Sequence, residues 1–274
     1  MRIDAHQHFW RYTDSMTWIT PAMSAISKDF LPAHLEPLLV QHNIDGCVAV
    51  QADQTIAETE FLLQLAEENS FIRGVVGWVD LRAANLAAQL SDYRKYPKLK
   101  GFRHVLQNES PEFMLAPDFI NGLSALQPFG FTYDMLVYPE HLPSVLQLLK
   151  QFPEQAFVID HLAKPSIKDG RIDNWETNIR AIAAHENVYC KVSGMVTEGD
   201  WQEWKTEDFI PFLDIVTESF GTGRLMYGSD WPVCLVAASY GEVMGIVRKY
   251  FSGFSETEQA AVFGNNANRF YYLS

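Results

Sequence analysis

Short runs rich in β-branched and aromatic residues recur along this chain, and most are followed by a stretch with helical spacing of apolar residues. The runs lie at residues 2–8, 46–52, 72–80, 99–107, 131–138, 156–163, 188–194 and 225–231. Between them lie amphipathic segments such as ETEFLLQLAEEN and PEHLPSVLQLLKQF, whose apolar residues return every three or four positions. Strands that alternate with helices predict a parallel sheet, because parallel neighbours need a crossover connection.

Eight strand–helix units in 274 residues predict a (β/α)8 TIM barrel, an α/β fold that typically takes about 250 residues. A doubly wound dinucleotide-binding sheet is the competing arrangement. However, no G-x-G-x-x-G follows any run, and the Gly-Thr-Gly at 221–223 precedes a run instead of leaving one. The sequence contains no internal repeat and no linker, so we interpret residues 1–274 as a single domain.

Two segments are additions to a minimal barrel of eight strand–helix units. Residues 9–45 form a long first connection containing Trp10 and Trp18, which fits either a lid over the barrel mouth or a cover of the barrel end. The tail begins with Ser255 and Glu258, the spacing of a capping box, and therefore predicts a closing helix.

The composition excludes several classes of partner. A formal net charge of −13 argues against nucleic acid and against anionic membrane surfaces, since both require a basic footprint. The three cysteines, Cys47, Cys190 and Cys234, are scattered and form neither a disulfide framework nor a C-x-x-C metal site. No signal-peptide core and no apolar run of transmembrane length is present, so we expect a cytoplasmic protein.

Polar residues collect where the predicted strands end. In a TIM barrel the chemistry takes place at the carboxyl ends of the strands. The imidazoles of His6, His8 and His161 and the carboxylate of Asp230, if they converge on one barrel mouth, indicate a catalytic or metal-binding site. The residues at these ends are His6, His8, Arg103, His104, His161 and Asp230.

Alternation along a strand predicts which of these side chains point the same way. It places Asp4, His6 and His8 on one face of the first strand, opposite Ile3 and Ala5. In the sixth run the same alternation groups His161 with Phe157 and Ile159, and in the eighth it points Asp230 inward.

The other four histidines have structural interpretations. His42 and His185 lie near predicted helix C-termini, where a partly charged imidazole interacts favourably with the helix dipole. His34 and His141 resemble solvent-facing residues near helix N-termini.

Lys191 is unusual because alternation points it into the barrel interior together with Ser193. A buried lysine needs a partner, and Asp4 is the candidate. A structural ion pair beneath the site is the favoured interpretation, with substrate contact as the alternative.

Taken together, the histidine pair on strand 1, the histidine on strand 6 and the aspartate on strand 8 resemble the amidohydrolase superfamily. The segments IDAHQHFW, GFRHVLQ, DHLAKP, KVSGMVTEGDW and YGSDWPV resemble its sugar-lactonase branch over essentially the whole chain. This resemblance implies a hydrolase that opens aldonolactones such as L-fuconolactone or L-rhamnonolactone to the aldonic acid.

The resemblance also implies a metal site, although this sequence differs from the metal-rich relatives at two strands. Metal-rich relatives carry a strand 5 histidine and, when binuclear, a bridging lysine or glutamate on strand 4. Here strand 5 reads TYDMLVY, and strand 4 offers Arg103 and His104. We therefore expect one divalent ion at most, zinc foremost, and no organic cofactor; metal-independent catalysis stays open because some related lactonases work without metal. The expected ligands are His6, His8, His161 and Asp230.

The expected chemistry is the attack of water on the lactone carbonyl. Asp230 would act as the base and later protonate the leaving oxygen, assisted by His161 and His104. Arg103 or His104 would hold the carbonyl oxygen. Alternation points only one of these two inward, and the sequence does not tell which.

The expected substrate is a neutral sugar lactone, because few cations lie at the carboxyl ends of the strands apart from Arg103 and Lys164. A lactonase for pyrone or muconate dicarboxylates, an amidohydrolase-type decarboxylase and a non-catalytic sugar-binding protein are the alternatives. The oligomeric state is left open. The aromatic residues expected to bind the sugar are Trp10, Trp78, Trp201 and Trp231.

Overall fold

The fold is built around one sheet of eight parallel strands. The computed structural model describes residues 1–273, except the side chain of Asp173. Each strand pairs in parallel with the next, in the order β1 to β8, which confirms the eight predicted strands. They are β1 (Ile3–Gln7), β2 (Gly46–Val50), β3 (Ile72–Gly77), β4 (Leu99–His104), β5 (Thr132–Met135), β6 (Phe157–Ile159), β7 (Val188–Val192) and β8 (Leu225–Tyr227).

Backbone hydrogen bonds join the first strand to the segment that follows the last. The amide of His8 donates to the carbonyl of Trp231 at 2.7 Å, and the amide of Asp230 donates to the carbonyl of His6 at 2.8 Å. These bonds form a seam that brings the ends of the sheet together. The fold is therefore the predicted (β/α)8 barrel.

Helices surround the sheet. They are α1 (Pro32–Gln41), α2 (Ile56–Glu68), α3 (Leu86–Tyr93), α4 (Pro117–Ser124), α5 (Leu142–Leu149), α6 (Asp173–Ala183), α7 (Met195–Glu198), α8 (Thr206–Phe220), α9 (Tyr240–Phe251), α10 (Glu256–Ala260) and α11 (Asn266–Phe270). No helix within residues 1–273 is long and apolar enough to cross a membrane.

Two apolar layers hold the barrel together. A small cluster fills its interior and includes Ile3, Val76 and Met226, while a much larger one packs the sheet against the helices. Phe270 and Tyr271, at the end of the tail, belong to the interior cluster. The tail helix begins as predicted, since Ser255 and Glu258 cap each other reciprocally.

The first connection is folded onto the barrel. Trp10 and Phe30 exchange backbone hydrogen bonds of 2.9 Å, and the indole of Trp10 donates to the carbonyl of Lys28. Ile19 and Ile26 are buried in the layer between sheet and helices. The connection therefore forms a packed layer with its own hydrogen bonds.

The prediction for His141 is wrong. Its side chain is buried, and Nε2 lies 3.1 Å from the carbonyl oxygen of Glu109. A short 3-10 turn before α5 directs the ring inward, which helix periodicity does not reveal. His34 is exposed as predicted, with Nδ1 accepting a hydrogen bond from the amide of Leu31.

Glu58, in the first turn of α2, makes stability depend on pH. Burial, together with the nearby charge of Asp53, raises the pKa of Glu58 to about 7. The protonated carboxyl is thus favoured in the native state. Its contribution is full below the pKa of the unfolded chain, near 4.5, and is lost as the pH rises through 7.

We therefore expect Glu58→Gln to raise the free energy of unfolding at pH 8 by on the order of 2 kcal/mol and to have little effect at pH 4.5. Urea denaturation at the two pH values measures this difference. Glu60→Gln, on the exposed side of the same helix, is the matched control and should show no such pH dependence. Equal effects of the two substitutions at pH 8 would contradict the assignment.

Candidate active site

A bulge in β1 directs its first histidine into the barrel. The pairing of β1 with β2 shifts register between Asp4 and Gln7. Consequently Ile3 and Ala5 lie in the interior cluster, and His6 also points inward. Asp4 instead lies away from the site, where it accepts hydrogen bonds from the Ser229 amide and the Tyr240 hydroxyl. The predicted shared face of Asp4 and His6 is therefore wrong, because strict alternation does not allow for the bulge.

His8 is oriented by the neighbouring strand. Its Nδ1 lies 2.8 Å from the carbonyl oxygen of Val50 at the end of β2. A carbonyl can only accept, so Nδ1 carries the proton and the lone pair of Nε2 faces the barrel axis. There Nε2 lies 3.2 Å from Nε2 of His6.

His161 reaches the centre through an unusual backbone conformation. Strand β6 ends at Ile159, and four consecutive residues, His161 to Lys164, have positive φ between 49° and 59°. They form one turn of left-handed helix, a conformation that costs roughly 1–2 kcal/mol per residue for residues other than glycine. The predicted grouping of His161 with Phe157 and Ile159 is wrong, since both belong to the layer facing the helices.

Several contacts hold the left-handed turn. The amide of Lys164 donates to the carbonyl of His161 at 2.7 Å, and the indole of Trp175 donates to the carbonyl of Leu162 at 2.7 Å. Nδ1 of His161 lies 2.8 Å from Oγ of Ser193, at the end of β7. These contacts fix the imidazole with Nε2 toward the mouth.

Asp230 completes the cluster from the other side of the seam. Its Oδ1 lies 3.3 Å from Nε2 of His8, 3.8 Å from Nε2 of His161 and 3.9 Å from Nε2 of His6. The oxygen is buried, and no group within the described residues donates a hydrogen bond to it. A buried carboxylate oxygen without a donor is costly unless a ligand completes its coordination.

Burial and neighbouring groups shift the pKa of two of the imidazoles and of the carboxylate. Burial lowers the pKa of His161 to about 4. Burial and the neighbouring ammonium of Lys191 hold the pKa of His6 well below its ordinary value. Burial alone would raise the pKa of Asp230, but the imidazoles of His161 and His8 bring it below the usual range.

This donor set fits a divalent metal ion. The ligand atoms of His6, His161 and Asp230 all lie within 4.8 Å of one another, and Nε2 of His8 faces the same space. Imidazole nitrogens and carboxylate oxygens are among the ligands that bind zinc in proteins. The unpartnered Oδ1 of Asp230 supports this fit.

The structure separates Arg103 from His104. Arg103 points inward: Nη1 lies 3.0 Å from Oδ2 of Asp160 and 3.3 Å from Nε2 of His6. His104 points away from the barrel axis and stacks on Phe113, with Nε2 3.2 Å from Oε1 of Glu109. Arg103 therefore joins the cluster and His104 does not.

The four tryptophans named from the sequence lie in two settings. Trp10 and Trp231 are each 2% exposed and pack edge-on against Phe30. Trp78 and Trp201 are half-buried; the indole of Trp78 lies 3.4 Å from Nδ1 of His104. The second pair therefore offers more ring surface to a ligand.

Lys191 is buried in the interior as predicted, but its partner is not Asp4. Its Nζ lies 2.6 Å from Oδ2 of Asp134 and 3.0 Å from Oδ1 of Asp160. The bulge turns Asp4 away from the interior, which explains the wrong assignment. Asp134 sits mid-strand in TYDMLVY, and Asp160 precedes His161; a charge inside an apolar run was the available signal.

This chain is similar to known proteins over nearly its whole length. The sequence pattern of the amidohydrolase family matches residues 3–273. An L-fucono-1,5-lactonase from Burkholderia multivorans is 41% identical over 100% of this chain and 96% of its own length. A second L-fucono-1,5-lactonase, from Burkholderia ambifaria, is 36% identical over 99% of this chain and 96% of its own.

A crystal structure extends the likeness to three dimensions. It is that of an amidohydrolase from Burkholderia multivorans with bound zinc. It is 40% identical to this chain, covers 100% of both chains and superposes with a TM-score of 0.97.

Gly194 leaves room for the imidazole of His161. It has a φ of +62°, and a Cβ there would lie 2.5 Å from Nδ1 of His161. Gly170 has the same φ of +62°, but a Cβ there would meet nothing within 4 Å. The two glycines therefore share the same backbone requirement and differ in the steric one.

We expect Gly170→Ala to cost about 1 kcal/mol of unfolding free energy through the positive φ. Gly194→Ala should cost about 1–3 kcal/mol more, because His161 must move. Urea denaturation of both variants measures the difference. Equal losses would show that His161 can move to accommodate the added methyl group without a further cost in stability.

Proposed function

Because this chain belongs to the amidohydrolase family, we propose that it hydrolyses a neutral sugar lactone, of the L-fucono-1,5-lactone type, to the open aldonic acid. The curated relatives named above act on that class of cyclic ester. The observation that carries the proposal is the cluster of His6, His8, His161 and Asp230, in which one carboxylate oxygen is buried without a donor.

The charges at the mouth favour a neutral substrate. Each basic residue at the ends of β4 and β6 lies against a carboxylate. Arg103 pairs with Asp160 at 3.0 Å, and Lys164 pairs with Glu198 at 3.0 Å. Nε2 of His104 lies 3.2 Å from Oε1 of Glu109. The two cations of this set, Arg103 and Lys164, therefore each already have a carboxylate partner, which disfavours a substrate carboxylate.

Asp230 is the proton acceptor in this proposal. Water adds to the lactone carbonyl carbon as its proton passes to the Asp230 carboxylate. The bond between the carbonyl carbon and the ring oxygen then breaks, and the ring oxygen takes the proton. One water is consumed, and the products are a carboxyl group and a hydroxyl on the same chain.

The surrounding residues orient the reactants. His6, His8 and His161 would hold one divalent ion together with Asp230; such an ion, zinc foremost, supplies Lewis-acid polarisation and lowers the pKa of water. Arg103, buried beside His6, stabilises negative charge on the carbonyl oxygen. In a metal-free reaction the guanidinium of Arg103 would bind that oxygen directly.

The sugar would lie against the aromatic rim. Trp78 and Trp201 offer half-buried ring faces to the apolar side of the sugar. His104, bonded to the indole of Trp78, serves at the rim in substrate binding. Trp10 and Trp231 would contribute by packing rather than by ring contact with the sugar, since their rings are buried against Phe30.

A panel of lactones tests the function directly. We expect the purified protein to open neutral five- or six-membered aldonolactones, measured as acid release with a pH indicator, with and without a chelator. Asp230→Asn should lower kcat by about 10²–10⁴-fold. Asp169→Asn, on the exposed surface, is the control and should match the wild type.

Three results would overturn the proposal. Release of carbon dioxide from an unsaturated or aromatic acid would indicate a decarboxylase. A preference for pyrone dicarboxylates would indicate the other lactonase class. Sugar binding that survives Asp230→Asn, without turnover by the wild type, would indicate a binding protein.

The carboxylate of Glu198 offsets the positive charge that Lys164 would otherwise present to a substrate. Removal of its carboxylate leaves the ammonium of Lys164 without its partner, on the same turn as His161. We expect Glu198→Gln to raise kcat/KM for a pyrone dicarboxylate, relative to a neutral aldonolactone, by roughly tenfold. Glu176→Gln breaks a comparable ion pair on the outer surface of α6 and should leave the ratio unchanged. No change with Glu198→Gln would place Lys164 outside the substrate site.

A further inference from the structure

A buried layer of charges lies directly beneath the histidine cluster. Lys191 on β7 contacts Asp134 on β5 and Asp160 after β6, and Asp160 also contacts Arg103 on β4. The hydroxyl of Tyr271 donates to Oδ2 of Asp134 at 2.7 Å. All of these side chains are almost completely buried. Burial of four charges costs several kcal/mol per ion before pairing offsets it, so fold stability alone is a poor explanation for the layer.

The two carboxylates of this layer differ in what else they touch. Asp134 is bonded to Tyr271 and Lys191, both below the site. Asp160 lies one level higher, with Oδ1 3.3 Å from Nδ1 of His6. No described group makes a well-aligned hydrogen bond to Oδ1 of Asp160. Oδ1 of Asp160, which also lies 3.0 Å from Nζ of Lys191, therefore faces one ring nitrogen of a cluster histidine.

The proton of His6 decides whether that residue can bind a cation. A neutral imidazole carries one proton, so a lone pair on Nε2 requires the proton on Nδ1. Nε2 faces His8, Asp230 and the Nη1 donor of Arg103, at 3.3 Å. The Arg103 contact favours a lone pair on Nε2, and the Asp160 contact favours a proton on Nδ1.

Lys191 introduces the competing arrangement. Its Nζ lies 3.1 Å from the same Nδ1 and could donate to it, which would move the ring proton to Nε2. Lys191 also lies near two carboxylates, however, which are stronger acceptors than an imidazole. Asp134 and Asp160 therefore compete with Nδ1 of His6 for the three protons of Lys191.

We propose that Asp160 is a positioning residue for His6: its Oδ1 accepts the Nδ1 proton and so keeps the Nε2 lone pair directed at the space beside Asp230. Lys191 and Arg103 each contact Asp160 at 3.0 Å and hold its carboxylate in place. This role rests on the proposed function, because it concerns the same site. Of its two tests, only the measurement of zinc binding requires the metal site. Carboxylates that orient metal-binding histidines in this way raise affinity about 10–100-fold.

Asp160→Asn and Asp134→Asn form a matched pair. Each removes one carboxylate from Lys191, but only the first removes the acceptor at His6. We expect Asp160→Asn to weaken zinc binding about 10–100-fold, measured by competition with a chromophoric chelator. Asp134→Asn should change it less than about threefold. Equal weakening by both, or none by Asp160→Asn, would overturn the proposal.

The second measurement needs neither metal nor substrate. Nitrogen-15 NMR of the metal-free protein with labelled histidine reports which ring nitrogen of His6 is protonated, and the signal is assigned by its loss in His6→Gln. We expect the proton on Nδ1 in the wild type and in Asp134→Asn. A proton on Nε2 in the wild type would overturn the proposal, even if Asp160→Asn fails to fold. Failure of the wild type to bind zinc or open lactones would refute the proposed function and leave this tautomer result standing.

Discussion

The seam between β1 and the segment after β8 is the interaction on which the rest of the structure depends. Two backbone hydrogen bonds there, from His8 to Trp231 and from Asp230 to His6, join the ends of the sheet. The residues that make them also carry three of the four cluster side chains. Closure of the barrel and assembly of the site are therefore one event. A disturbance of the seam would therefore separate the imidazoles of His6 and His8 from the carboxylate of Asp230.

Polar groups are arranged in two levels along the barrel axis. The lower level, around Lys191, is sealed from water on both sides, below by Tyr271 and above by the imidazoles. The upper level, around Asp230, opens to the mouth, where Lys164 and Glu198 are only partly buried. Charges in the lower level act strongly over short distances because little water screens them. That setting lets groups that never touch a ligand influence those that do.

The sequence pattern predicted the eight strands and the strand-end residues, because apolar periodicity is a local property of the chain. Three features escaped it for physical reasons. The bulge that separates Asp4 from His6 depends on pairing with β2, and the turn at His161 depends on packing by Trp175. The partners of Lys191 come from strands far away in sequence. Assignment of side chains to faces failed where the backbone leaves regular geometry, and those departures lie at the candidate site.

The left-handed turn at His161 to Lys164 limits how this protein can be made more stable. Glycine would relieve the backbone strain at each position, by roughly 1–2 kcal/mol. At Leu162 it would remove a fully buried side chain, and at Lys164 it would remove the ammonium beside Glu198. At Ala163 the loss of a buried methyl, about 0.8 kcal/mol, offsets a large part of the relief. Glycine substitutions in this turn therefore offer little gain in thermal stability, and stabilising substitutions have to be sought elsewhere in the barrel.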